Sequence, residues 1–435
     1  MHTLEQLRSG QLQGITRLDL AADLTELPEE VFQLADSLEV LNLSNNRLSD
    51  LPSTLPRLHK LRVLFCSDNP FTALPQVLGQ CPQLEMVGFK SCQIEQVAAD
   101  ALSAKLRWLI LTDNRISQLP EALGDCQYLQ KLMLAGNRLT SLPASLSRCH
   151  NLELLRIAAN RLQALPDWLL KLPRLAWLAY AGNPFCAHLE QAPAATLIPR
   201  EQLSYAELLG QGASGIIHAA TWQAPGQPAQ EVAVKHFKGQ MTSDGLPHCE
   251  MAACLLAGEQ HNLIRVAGAL QTAADEPPAL VLERISSAYQ VLAAPPSLSS
   301  CSRDCYAPEQ QFSLKQLLSI AHGAAAAASH LHQRGILHGD LYGHNLLVKP
   351  SGHTLLGDFG AASRFDPQTE QGQALQRIEI RAWGILLEEL IQRCPEAQAT
   401  ELLSLAQACM QEDLQQRPSF SEAVAKLAAL LAALN

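Results

Sequence analysis

Between residues 208 and 217 the chain reads Leu-Leu-Gly-Gln-Gly-Ala-Ser-Gly-Ile-Ile, so Gly210, Gly212 and Gly215 fall in the spacing G-x-G-x-x-G. Glycines at that spacing let backbone N–H groups come close to phosphate oxygens. Dinucleotide-binding turns share it, but they need a helix directly afterwards and an acidic residue about 20 positions on. Here Ile216 and Ile217 follow, then the turn Ala224-Pro225-Gly226, then the strand-like Glu231-Val232-Ala233-Val234-Lys235. A hairpin over a phosphate tail with a lysine on the next strand is what a nucleotide-binding hairpin needs, the lysine offsetting phosphate charge. Glu250 begins a helix-like stretch and can pair with Lys235; Glu259 is nearby, but lies past Gly258, where that helix should have ended. His338-Gly339-Asp340-Leu341-Tyr342-Gly343-His344-Asn345 puts a carboxylate and an amide five residues apart on a loop, and Asp358-Phe359-Gly360 adds a second carboxylate. Asp340 can orient or deprotonate a hydroxyl, while Asn345 and Asp358 can hold Mg²⁺ on phosphates.

The elements that must position these groups lie in the second half of a 435-residue chain, long enough for two or three domains. Residues 279–283 read as a buried strand leaving a first lobe. Hydrophobic residues at 47% and charged residues at 17% exclude a disordered chain. The net charge of -10, without a long basic run, argues against a nucleic-acid or anionic-membrane protein. No apolar run reaches the ~18–20 residues of a membrane helix; the alanine run at 324–328 is too short. The N-terminus lacks the basic-then-apolar order of a secretory signal. Twelve cysteines without a Cys-x-x-Cys pair are expected as reduced, mostly buried thiols in a cytoplasm.

Of 78 leucines, 44 fall in the first 200 residues, which implies two differently built halves. An Ile or Leu opens a similar phrase at Ile15, Leu38, Leu61, Leu84, Leu106, Leu129, Leu152 and Leu175, at intervals of 22 or 23. Apolar residues recur at offsets 0, 3 and 5, and the last two read as a short strand. At offset 8 stand Asn46, Asn69, Asn114, Asn137, Asn160 and Asn183, with Asp23 and Cys92 in the other phrases. A buried side chain able to hydrogen-bond a tight turn is needed there in each coil. Leu-Pro pairs follow, as at Leu27-Pro28 and Leu51-Pro52, where proline ends the strand. These phrases resemble the leucine-rich repeat family. The resemblance implies a curved solenoid with a parallel sheet on its concave side, residues 1–14 capping one end. Strand alternation then points Val63, Phe65, Met86, Trp108, Ile110 and Met133 outward on adjacent strands as an apolar patch. Such a patch is expected to dock a protein partner or this chain's own second half.

From about Leu203 onward, the ordered motifs resemble the eukaryotic-type protein kinase domain. The resemblance implies that Leu209, Gly210, Gly212 and Gly215 cover ATP, that Ile217 and Ala233 sit on the adenine, and that Glu283 begins the hinge. It makes Lys235 the phosphate-gripping lysine paired with Glu250, Asp340 the catalytic carboxylate, and Asn345 and Asp358 the ligands of Mg²⁺ (or Mn²⁺). Three departures stand out. Gly339 replaces the arginine that pairs with a phosphorylated activation loop, so that switch is not expected. Tyr342 replaces the lysine usual in serine/threonine kinases, with His344 as the substitute contact to substrate or γ-phosphate. The segment after Gly360 is short and lacks Ala-Pro-Glu, the usual partner of Arg417; the literal Ala307-Pro308-Glu309 precedes Asp340 and sits in an insertion at 286–311.

The fold expected is an α/β leucine-rich-repeat solenoid over residues 1–185, a cap and linker at 186–202, and an α+β bilobal kinase-like domain over 203–435. The whole resembles bacterial leucine-rich-repeat protein kinases without a membrane span. The expected activity is ATP- and Mg²⁺-dependent protein phosphorylation, serine/threonine type, with the repeats choosing the partner. A pseudokinase scaffold and a small-molecule phosphotransferase are the alternatives.

Overall fold

The structure, a computed structural model, describes all residues except 192–194, 213, 239–240, 243, 273–275, 398–400 and 435. The chain divides into two compact units, Met1–Arg174 and Leu175–Asn435.

The first unit opens with helix α1 (Leu4–Arg8), whose N-terminus is closed by a reciprocal Thr3–Gln6 capping box. Seven three-residue strands follow at the repeat period: β1 (Arg17–Asp19), β2 (Val40–Asn42), β3 (Val63–Phe65), β4 (Met86–Gly88), β5 (Trp108–Ile110), β6 (Lys131–Met133) and β7 (Leu154–Arg156). Each pairs in parallel with the next, in register, as Leu41↔Leu64 and Leu64↔Val87. The middle residue of every strand is buried, from Leu18 to Leu155. Fully burying a leucine contributes about 1.5–3 kcal/mol, which the sequence repeats in each coil. The offset-8 asparagines close the turns. Asn114 Oδ1 accepts from Ile94 N at 3.0 Å, and its Nδ2 donates to the carbonyls of Phe89, Leu111 and Thr112. Cys92 makes longer contacts in that role, its Sγ 3.5 Å from Cys66 O. Single 3-10 turns cross back, several entered directly from the proline of a Leu-Pro pair, as at Pro28, Pro75, Pro120 and Pro143.

The apolar patch is less exposed than strand alternation alone implies. Val63 and Met86 are buried, at 5% and 1% exposure, and Phe65, Trp108, Ile110 and Met133 are half-buried. Lateral packing contributes. Phe65 lies over Gly88, Trp108 Nε1 reaches Met133 Sδ at 3.3 Å, and Lys131 Nζ sits 4.6 Å from the Trp108 ring centroid.

The second unit begins with the eighth repeat phrase, whose strand β8 (Trp177–Ala179) is fully buried. Next comes β9 (Leu197–Ile198), then the long strands β10 (Leu203–Gln211), β11 (Gly215–Trp222) and β12 (Gln230–Phe237). Helix α2 (Pro247–Ala257) precedes β13 (Val266–Leu270) and β14 (Ala279–Glu283). These strands form one sheet in the order β10-β11-β12-β14-β13-β9. Within the stretch expected as linker, Leu197 and Ile198 thus add a parallel strand beside β13, and Ile198 is wholly buried in this lobe's core with Val234 and Val281.

The helical lobe carries β15 (Gln290–Val291), α3 (Leu314–Gln333), β16 (Ile336–Leu337), β17 (Leu346–Val348), β18 (Thr354–Leu356), β19 (Ser363–Arg364), α4 (Glu370–Ile391), α5 (Glu401–Cys409) and α6 (Phe420–Ala433). The alanine run lies in α3, mostly buried, where small side chains let neighbouring elements approach. Trp383 of α4 is fully buried and donates Nε1–H to Ala321 O of α3 at 3.0 Å. Among the described residues no helix is long and apolar enough to cross a membrane. The paired strands hold two loops: 338–345 runs from β16 to β17, and 357–362 from β18 to β19.

Candidate functional site

The glycines sit on the β10–β11 hairpin, where Gly212 N donates to Gly215 O at 2.9 Å. They differ in role. A Cβ at Gly215 would meet His236 O at 2.6 Å and Lys235 Cε at 3.3 Å, so this glycine lets the hairpin lie against β12. A Cβ at Gly210 or Gly212 would meet nothing within 4 Å, which leaves their backbone open to a bound group. Leu209 is exposed, Ile217 is half-buried opposite Lys235 in register, and Ala233 is buried. Glu283 ends β14 opposite Val232.

Lys235 Nζ hydrogen-bonds Glu250 Oε1 on α2. Burial opposes the ammonium, but Glu250 and Asp358 outweigh it and raise the lysine's pKa. Burial raises the Glu250 carboxyl, with Lys235 opposing. Glu250 Oε2 has no hydrogen-bond partner among the described residues and lies 3.8 Å from where a Gly360 Cβ would be. Helix α2 ends at Gly258, which takes φ +66°, and Glu259 pairs instead with Arg265 at 2.7 Å.

Asp340 and Asn345 are joined directly. Asn345 Nδ2 donates to both the Asp340 carbonyl and Asp340 Oδ2, each at 2.8 Å. The loop is anchored from below by Glu379 of α4, which accepts the N–H groups of His338 (3.2 Å) and Gly339 (2.6 Å) and contacts His332 Nε2 at 2.7 Å. Burial alone would raise the Glu379 carboxyl, but His332, His338 and the Gly339 N–H outweigh it and hold it low. Asp358 adopts φ +53°, a left-handed conformation that aspartate tolerates because its short side chain can hydrogen-bond locally. Its Oδ1 accepts Gly360 N–H at 3.2 Å.

Several residues that sequence reasoning did not assign come to this site. The 286–311 insertion delivers Asp304, whose Oδ1 is 2.7 Å from His344 Nδ1 and whose Oδ2 accepts His344 N–H at 3.2 Å. His344 Nε2 in turn lies 3.9 Å from Asp340 Oδ2. Burial would lower the His344 pKa, but Asp304, Asp340 and Asp358 together raise it. Trp177, from the eighth repeat phrase, stacks on Tyr342 with centroids 4.1 Å apart and planes 5° apart. Its concave-face position marks Trp177 as exposed in the repeat pattern, and nothing in the spacing links it to residue 342. Arg417 is buried, and its guanidinium donates to Gln411 O at 2.7 Å and Arg377 O at 2.9 Å.

Comparison with known proteins also separates an N-terminal from a C-terminal region. Residues 203–384 match the family described as protein tyrosine and serine/threonine kinase. Residues 36–103 and 127–185 match leucine-rich repeat families. The chain is 28% identical over 177 residues to fibroblast growth factor receptor 1 of Xenopus laevis, covering 38% of this chain and 21% of that protein. It is 29% identical over 101 residues to a serine/threonine-protein kinase US3 homolog of Gallid herpesvirus 2, covering 23% and 22%. Over 57 residues it is 40% identical to the serine/threonine-protein kinase AtPK1/AtPK6 of Arabidopsis thaliana, covering 13% and 12%. The chain therefore spans about a fifth or less of each of these relatives. A solved leucine-rich-repeat protein of Leptospira interrogans shares 28% identity over 41% of this chain and 51% of that one, with a TM-score of 0.34.

Proposed function

We propose that this chain, which carries the repeats-then-kinase architecture of the leucine-rich-repeat protein kinases, transfers the γ-phosphate of ATP to a serine or threonine hydroxyl of a protein. The observation that carries the reading is the gathering of Lys235 on Glu250 with Asp340 bonded to Asn345. Asp340 would orient the acceptor hydroxyl and receive its proton. The hydroxyl oxygen forms the new bond to γ-phosphorus as the bond to the β–γ bridging oxygen breaks and ADP leaves. Lys235, held by Glu250, would neutralise phosphate charge, and the open backbone at Gly210 and Gly212 would cover the phosphates.

A divalent cation fits the donor chemistry. No cluster of three or more His, Cys, Asp or Glu able to hold a metal occurs among the described residues. Asp358 and the Asn345 amide oxygen are hard ligands of the kind Mg²⁺ accepts together with substrate phosphates and water. Bound there, it would offset charge on the transferred phosphoryl group. Two of the relatives above are named serine/threonine kinases, which supports that acceptor type. The partner is proposed to meet the concave repeat face around Phe65, Trp108, Ile110 and Met133, with Val63 and Met86 as its buried floor. The twelve cysteines are all thiols, which fits the reducing interior of a cell.

Labelled ATP with Mg²⁺, the pure chain and a cell lysate, followed by phosphoamino-acid analysis, tests the reading. Label on serine or threonine that is lost in Asp340→Ala, with ATP binding retained, supports it. Equal labelling by that variant would refute the mechanism. Label only on a metabolite would assign a small-molecule phosphotransferase, and ATP binding without transfer a scaffold.

A further inference from the structure

Two departures from the kinase pattern, Gly339 and Tyr342, meet the same short piece of chain, the strand β8 and the residue after it. Trp177 is 1% exposed; besides stacking on Tyr342, it donates Nε1–H to Leu341 O at 3.1 Å. Tyr180 is equally buried. Its N–H donates to Ser363 Oγ at 2.9 Å and its hydroxyl to Arg364 O at 3.1 Å. Between them, Leu178 O passes so close that a Cβ on Gly339 would lie 2.8 Å from it. The same Cβ would lie 2.5 Å from Ala361 O, at a φ of +74°. One coil therefore touches the 338–345 loop that carries Asp340 and the strand β19 that directly follows the 357–362 loop carrying Asp358.

Each contact accounts for a departure. An arginine at 339 is disfavoured, because backbone oxygens of Leu178 and Ala361 already crowd the space its Cβ would take. The aromatic ring at 342 serves as the landing for Trp177, so this position anchors the loop. The segment after Gly360 is short, and Tyr180 pins its Ser363 and Arg364.

We propose that Trp177 and Tyr180 are positioning residues for phosphotransfer: the last repeat coil is a built-in brace that holds the Asp340 loop and the Asp358 segment in working geometry without phosphorylation. The proposal rests on the kinase reading for its consequence and on the contacts above for its existence. It places the start of the working catalytic unit at the eighth repeat phrase, ahead of residue 203.

The test uses the full chain in four forms: wild type, Trp177→Ala, Trp177→Phe and Tyr180→Phe. Hydrogen–deuterium exchange is read at 338–345 and 361–366, and steady-state kinetics with Mg²⁺–ATP and casein as the acceptor probe. Trp177→Ala should raise exchange in those two segments, and not in α3 or α4, since a local brace acts locally. Its kcat should fall about 10²-fold, the scale of an ångström-level misplacement. Its KM for ATP should stay within about twofold, because the nucleotide contacts lie elsewhere. Trp177→Phe keeps a ring for stacking, loses the bond to Leu341 O and part of the indole surface, and should recover most of kcat. Tyr180→Phe should raise exchange at 361–366 alone. Unchanged exchange in Trp177→Ala overturns the brace, and so does a rise in kcat, which would make the coil a plug. Raised exchange in a chain whose wild type transfers no phosphate would uphold the brace and refute the kinase reading.

Discussion

Restoring the family arginine at Gly339 should damage this protein. The magnitude follows from the geometry. Gly339 has φ +74°, a left-handed conformation that costs a side-chain-bearing residue about 1–2 kcal/mol. A Cβ there would sit 2.5 Å from Ala361 O and 2.8 Å from Leu178 O, both backbone atoms with no flexible end to swing away. Forcing atoms into such a site costs about 1–3 kcal/mol more. Gly339→Arg should therefore lose roughly 2–5 kcal/mol, taken together. With a urea slope of about 2–3 kcal/mol per molar, the midpoint of the transition reporting Trp177 and Trp383 should fall by roughly 1 M or more. Gly339→Asn separates the two contributions, since asparagine tolerates positive φ but keeps the clash. Tryptophan fluorescence in urea, with phosphotransfer measured in parallel, reads both variants. If Gly339→Arg unfolds at the wild-type urea concentration, the close approach of Leu178 and Ala361 is refuted. If it also gains activity on phosphorylation, the brace is refuted with it.

Two further outcomes follow from buried polar groups. The Glu389 carboxyl is pushed up to about 7, first by burial and then by Asp304. A raised folded pKa means stability is complete below the ordinary value near 4.5 and is lost as pH rises towards 7. At about 1.4 kcal/mol per pKa unit the full loss is roughly 3 kcal/mol. Glu389→Gln should thus unfold at higher urea than wild type at pH 8 and show a much smaller advantage at pH 5.5; an equal advantage at both would refute the assignment. Asn114→Ala removes four hydrogen bonds and strands the buried Ile94 N–H and Phe89 carbonyl. It should cost about 2–4 kcal/mol and raise amide exchange in residues 89–116, and wild-type protection there would count against the asparagine ladder.

What could be read in the sequence was whatever repeats or is short-range. The period of 22–23 located the strands, because a strand's middle residue must be buried in every coil, as Leu41, Leu64 and Leu109 are. The offset-8 asparagines could be read as turn-closing because a side-chain amide carries both an acceptor and two donors, enough to bridge several backbone groups of a tight turn. Outward alternation said less about exposure, since Met86 is buried while its neighbour Phe65 folds over Gly88. What could not be read were contacts between distant segments. Trp177 and Leu341 are 164 positions apart, and no pattern marks them as partners. Asp304 lies in a Ser- and Cys-containing insertion whose composition resembles filler, yet it holds His344. Ile198 sits in what composition describes as a linker, and only a sheet edge on β13 turns it into core.

The departures from the kinase pattern need not be read as losses. The glutamate missing from the segment after Gly360 would leave the buried Arg417 without its partner, and an unsatisfied buried polar group costs about 1–3 kcal/mol. The arginine missing at position 339 would leave the loop amides to find other partners. The structure shows both resolved by local backbone. Arg417, freed from an Ala-Pro-Glu glutamate, donates to the carbonyls of Gln411 and Arg377. Burial then lowers its pKa to about 9, with Arg381 adding to the shift. At the loop, Glu379 takes the N–H groups of His338 and Gly339, so the loop's own amides are satisfied without an arginine side chain. An arginine at 339 would serve to answer a phosphate on the activation segment. A segment pinned by Tyr180 at Ser363 and Arg364 has no need of that answer. On the proposed kinase reading, Gly339, Tyr342 and the short segment are one adaptation seen at three positions: an Asp340 loop braced by the coil that precedes it in the chain.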